Sequence, residues 1–180
     1  MLKYLAYFIV AMCVQLTAYA DNGDDKHYRQ LPSEMKQVGS AKFSLLFWDI
    51  YESTLYTHSG TYSSLQSDSP VYFKIRYLRD ISSQELIART LEQWQHLAIP
   101  DEKIEQYSEL LTDLWPDIKA GDSLALLKTA SQSQFFFNDK AIGMVDNQQF
   151  GDDFLSIWLS TNTSQPALRR QLLGVQYDGS

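Results

Sequence analysis

The run VGSAKFSLLFWDIYESTLY, residues 38–56, is the feature that most constrains how this chain can fold. Read as one extended strand, it places Phe43, Leu45, Phe47 and Tyr51 on one face and Leu46, Trp48 and Ile50 on the other. A strand with one wet face alternates apolar with polar. This one therefore needs a cover on each side: helices, a second sheet or a bound apolar ligand.

The rest of the sequence supplies candidates for that cover. Residues 71–79, VYFKIRYLR, read as a second strand with Val71, Phe73, Ile75 and Tyr77 on one face. Ser82 with Glu85 makes a capping box, after which Leu86, Ile87, Thr90, Leu91, Trp94 and Leu97 recur at helical spacing. Pro100 ends that helix and opens another, striped by Ile104, Tyr107, Leu110, Leu111 and Leu114. Gly121-Asp122 turns the chain into a strand, and QFFFN and KAIGMV follow as two more strands of a meander. Asp146 and Gln149 are expected to cap a third helix carrying Phe150, Phe154, Ile157 and Trp158; Pro166 opens a fourth, closed by Gly174. Strands, two helices, strands, two helices is the order of an α+β fold with helices on one face of a largely antiparallel sheet.

The first twenty residues read as a signal peptide. Lys3 precedes the apolar run Leu5 to Val14, and Ala18-Tyr19-Ala20 supplies the small residues of a cleavage site. The run is too short for a permanent span, so export to the periplasm or medium is expected, with no stable membrane anchor. Cleavage after Ala20 removes Cys13, the single cysteine, and with it disulfides, thiolate nucleophiles and cysteine-held zinc. Residues 21–35 then form a polar leader and residues 36–176 one domain, since the about 160 residues left suffice for one core. Loss of Lys3 takes the net charge from −7 to −8, and the basic residues are scattered; no nucleic-acid partner is expected.

VGSAKFSLLFWDIYESTLY, IRYLRDISSQEL, LWPDIKAGDSLAL, NDKAIGMVDNQQFGDDFLSIWLS and PALRRQLLG stand in the order and spacing of bacterial exported proteins of the chalcone isomerase-like family, which the chain resembles over residues 36–174. The resemblance implies an open-faced β-sandwich: a curved antiparallel sheet backed by a helical layer, with an apolar ligand cleft between them. It also locates the positions that hold substrate in plant chalcone isomerases. There the family's tyrosine falls on Leu86, its asparagine on Gln93, its two threonines near Leu46 and on Ile157, and its arginine has at best Lys42 in its place. Ring closure needs donors for the charge developing on the enone oxygen, which Leu86 and Ile157 cannot supply. The expectation is thus a non-catalytic protein binding a small apolar or amphipathic ligand, such as a fatty acid. An isomerase or lyase of unknown substrate, or a cell-envelope interaction protein, are the alternatives.

Candidate ligand contacts are Lys42, Leu46, Trp48, Tyr51, Tyr77, Leu86, Gln93 and Ile157, with Lys42, Tyr51 and Tyr77 at an anionic head group. Arg79-Asp80 reads as a surface pair, and Trp94, Trp115 and Trp158 as core. His27, His58 and His96 have no partner at ligand spacing, and Asp139, Asp146, Asp152 and Asp153 lack calcium-loop spacing, so neither metal nor cofactor is expected. There is no nucleophile elbow and no glycine-rich phosphate loop. With the polar set replaced, the protein should leave the spontaneous cyclisation rate of a hydroxychalcone unchanged. A hundredfold acceleration in a stopped spectrophotometric assay, about 2.7 kcal/mol of transition-state stabilisation, would contradict this.

Overall fold

Six strands pair in sequence order into one antiparallel sheet: β1 (Lys36–Leu45), β2 (Trp48–Thr57), β3 (Val71–Tyr77), β4 (Ser123–Lys128), β5 (Ser133–Phe137) and β6 (Lys140–Val145). Helices α1 (Ser83–His96) and α2 (Asp101–Leu114) are inserted between β3 and β4, and α3 (Gln148–Leu159) and α4 (Pro166–Leu172) follow β6. This is a computed structural model describing residues 34–175. The expected signal peptide with Cys13 and Ala20, His27 and nearly all of the expected leader lie outside the described residues.

Residues 38–56 do not form one strand. Leu45 pairs with Trp48 across a two-residue turn, Leu46-Phe47, so the run is the hairpin β1–β2. Leu46 sits at φ +54°, a left-handed conformation that a bulky side chain rarely adopts. Phe43 and Tyr51 become cross-strand partners, their rings stacked at 5.2 Å on the core side. Leu45, Leu46, Phe47 and Trp48 form the projecting tip, 59, 85, 98 and 61 % exposed. The second apolar face of the supposed strand is thus a hairpin end and not a face.

The other elements follow their local chemistry. Ser82 caps α1, its Oγ accepting the Glu85 N–H at 3.2 Å. Asn147, one residue beyond the expected Asp146, caps α3 by accepting the N–H groups of Gln149 and Phe150. Asn138 and Asp139, both at positive φ, make the tight turn from β5 to β6. The end of α4 is pinned to β1 at Gly39, where a Cβ would lie 2.3 Å from the Gln171 carbonyl oxygen, so only glycine permits the approach.

Helices cover one face of the sheet. There Leu55, Phe73, Ile75, Leu124, Leu126 and Phe135 meet Trp94, Leu111, Trp115, Phe150, Phe154 and Leu172 in the main apolar core. The rings meet mostly edge to face, as Phe135 does with Phe150 at 5.8 Å and with Phe154 at 5.5 Å, the arrangement the ring quadrupoles favour. The opposite face carries a smaller cluster of Tyr72, Ala125, Leu127 and Phe136.

The Lys128 charge is buried on the helix-covered side. The Lys128 ammonium contacts the Asp152 carboxylate and donates to the carbonyls of Leu65 and, at 3.2 Å, Ser67. Gly151 lets α3 come this close, since a Cβ there would meet Ser133 Oγ at 2.5 Å and Lys128 Cγ at 2.8 Å. Removing one partner of a buried pair strands the other, so Lys128→Met should destabilise the fold by about 3 kcal/mol in urea denaturation. Adding Asp152→Asn should recover part of that loss. Equal stability of Lys128→Met and wild type would show the pair to be solvated.

Candidate functional site

The sequence-derived positions separate into two groups. Tyr51, Tyr77, Leu86 and Ile157 belong to the main core, where sheet and helices meet. Lys42, Leu46, Trp48 and Gln93 do not. Lys42 alternates with Ala41 and Phe43 along β1 and therefore leaves from the opposite face of the sheet. There it forms an ion pair with Asp49 at 3.0 Å and lies 3.9 Å from Glu52. Its hydrogen bond to Asp49 is the main cause of its raised pKa, followed by the charge of the same carboxylate. Lys42 is therefore no anchor for a head group between sheet and helices. Leu46 and Trp48 stand on the exposed hairpin tip, and Gln93 accepts a 2.6 Å hydrogen bond from Ser164, tying α1 to the segment before α4.

What the core brings together at this place is an aromatic cluster with a polar seam. The Trp158 indole N–H, from α3, donates to the Tyr51 hydroxyl of β2 at 2.9 Å. Tyr51 stacks on Phe43 and meets Tyr77 edge-on at 6.1 Å, while Trp158 lies 4.7 Å from Phe73 and 5.3 Å from Phe154. Leu86, half-buried, and Ile157 complete the apolar surroundings. Ser53, fully buried beside them on β2, spends its hydroxyl on the Ala41 carbonyl.

Burial fixes the protonation of this seam. It pushes the Tyr51 phenol up to about 12, against a smaller lowering by the Trp158 N–H. Tyr77 is driven higher still, by burial first and then by its neighbour Tyr51. Both phenols are neutral donors at any physiological pH. Because the indole occupies only an acceptor position of Tyr51, the phenolic proton stays available to a ligand oxygen. Neutral donors among hydrocarbon walls suit a carboxylate or carbonyl head on an apolar body.

Trp158 is the contributor that sequence reasoning assigned to plain core. Its signal was available: α3 buries nine of its 12 residues, so adjacent positions such as Ile157 and Trp158 both face inward. Arg79 also departs from expectation. Asp80 bonds Lys119 and the Ala120 N–H, whereas the Arg79 guanidinium lies over the Trp48 ring at 5.0 Å. The four acidic residues disperse too, Asp139 pairing with Lys74 and Asp153 with Lys103 and Tyr107. No group of three or more potential ligands able to hold a metal ion is found among the described residues.

Two hollows of the surface lie elsewhere. A groove of about 590 Å³ runs between α1 and α2 beside Ile87, Leu91 and Thr112, and one of about 220 Å³ opens near Leu65, Asp152 and Ser156. Neither is lined by any of the eight sequence-derived positions. At the seam itself Tyr77 and Trp158 are buried, and Tyr51, Phe43 and Leu86 are half-buried.

Comparison with known proteins agrees with this architecture. A crystal structure of the Arabidopsis thaliana fatty-acid binding protein AtFAP1 superposes with a TM-score of 0.62 at 13% identity, covering 80% of this chain and 89% of that one. An uncharacterized protein of Haemophilus influenzae is 22% identical over 137 residues, 76% of this chain and 67% of that protein. The sequence profile described as chalcone isomerase-like matches residues 25–174. The chain belongs to the chalcone isomerase-like family.

Proposed function

We propose that this is an exported, non-catalytic binding protein for an apolar acid of the fatty-acid kind, held with its head group at the Tyr51–Trp158 seam. The observation that carries the reading is the hydrogen bond between these two side chains, set among Phe43, Phe73, Tyr77 and Ile157. A ligand oxygen can accept the Tyr51 proton while its chain replaces side-chain contacts behind it. The fatty-acid binding named for AtFAP1, a protein of the same fold, supports the ligand class. The amino-terminal apolar run with Ala18-Tyr19-Ala20 supports export.

An isomerase or lyase is the second reading, because two neutral phenols in one apolar place could also stabilise a developing oxyanion. Loss of head-group contacts without turnover separates binding from catalysis.

Titration with saturated fatty acids of increasing length, followed by differential scanning fluorimetry, tests the binding reading. At free ligand a hundredfold above the dissociation constant the fold should gain about 2.7 kcal/mol, which raises the melting temperature by roughly 5–10 °C. Tyr51→Phe should abolish most of that gain, whereas Lys42→Ala, on the other face of the sheet, should leave it intact. No shift with any chain length, or an undiminished shift in Tyr51→Phe, would remove the seam as the site.

A further inference from the structure

The hairpin tip is costly in two respects. Leu45, Leu46, Phe47 and Trp48 are four consecutive large apolar residues, each more than half exposed, where a turn is ordinarily polar. Leu46 also occupies a positive-φ position that glycine or asparagine would hold without strain, and its side chain, 85 % exposed, packs on almost nothing. The turn needs that backbone conformation, but glycine would supply it without strain, and none of the four side chains joins either apolar cluster. Backbone strain kept at a surface point with no packing return marks functional use.

We infer that the Leu45–Trp48 tip inserts into a lipid bilayer surface, with the Arg79 guanidinium at the phosphate level. The tip is a convex finger with no groove or flat face, and its turn reaches roughly 5 Å beyond the last strand pair, the depth of the headgroup–acyl boundary. Trp48, the only exposed indole among the described residues, carries the amphipathic ring enriched at membrane interfaces. Arg79 lies over that ring and makes no ion pair with a carboxylate among the described residues, so its charge is left for a lipid phosphate. The nearest acids are already engaged, Asp49 by Lys42 and Asp80 by Lys119, with Glu52 3.9 Å from both Lys42 and Arg76. On a chain of net charge −7 the tip is thus a local cationic and apolar point. This inference stands apart from the ligand reading and does not need it.

The test uses the full chain with phosphatidylethanolamine–phosphatidylglycerol vesicles carrying acyl-chain-brominated lipid, read by quenching of tryptophan fluorescence and by co-sedimentation. Trp94, Trp115 and Trp158 are buried in the core, so bromine quenching reports Trp48. Quenching and co-sedimentation are expected, and Phe47→Ser should weaken vesicle partitioning by about tenfold. Leu46→Gly should weaken it as well while raising the melting temperature, because it releases the left-handed backbone. Arg79→Gln should reduce binding to anionic vesicles more than to neutral phosphatidylcholine ones. All variants share the wild-type amino-terminal segment, so its own lipid affinity cancels in the comparison. Absence of Trp48 quenching overturns the proposal, as does unchanged partitioning in Phe47→Ser and Leu46→Gly. A lowered melting temperature in Leu46→Gly would assign that residue to the fold instead, and capture of a protein partner by a tip that ignores vesicles would assign the surface to protein docking.

Discussion

The structure depends on seating α3 against the helix-covered face of the sheet. Phe150, Phe154 and Trp158 leave that helix at the i, i+4, i+8 spacing of one stripe and meet Phe135 of β5 and Phe73 of β3. Trp94 of α1 and Tyr107 of α2 then close on the other side of Phe150, so both inserted helices are organised around the same rings. The Trp94 indole donates to the Asp153 carbonyl and the Tyr107 hydroxyl to the Asp153 carboxylate, which fixes their rotation about α3. Gly151 and Gly39 provide the two close approaches that let α3 and α4 reach the sheet.

The same seating creates the seam. Trp158 is the last ring of the α3 stripe, and its position over β3 is what brings its N–H to Tyr51 of β2. A helix shifted by one residue would turn the indole away and leave a buried phenol with no partner, a loss on the order of 1–3 kcal/mol. Structure and chemistry are therefore linked at this point: the contact that completes the core also presents a neutral donor to whatever enters.

Much of this was legible in the sequence. Periodicity placed β3, both inserted helices, the three-strand meander and α3, and Ser82, Pro166 and Gly174 marked helix ends where their caps act. The hairpin within 38–56 was not legible, because Leu46-Phe47 has none of the glycine, asparagine or aspartate that announces a two-residue turn. That omission read the tip, Leu45 to Trp48, as part of two strand faces, while Phe43 and Tyr51 still fell together on one face. It made Leu46 and Trp48 look like a ligand wall, whereas Lys42 lies on the face opposite Phe43 by simple alternation and was set beside the cleft by the family resemblance and the nearby tyrosines. Tyr51, Tyr77, Leu86 and Ile157 kept their place in the core because each belongs to an element whose period alone fixes its side.

The four tryptophans sit in four different chemical settings, which gives the account a direct readout. Trp158 donates to Tyr51, Trp94 to a backbone carbonyl, the Trp115 Nε1 is buried without a partner among the described residues, and Trp48 is exposed on the tip. Titrating ¹⁵N-tryptophan-labelled protein with lauric acid in a heteronuclear NMR experiment should move the Trp158 indole resonance first and furthest, with Trp94 nearly still. Movement of Trp48 alone, or of none of the four at millimolar ligand, would contradict a ligand head group at the Tyr51–Trp158 seam.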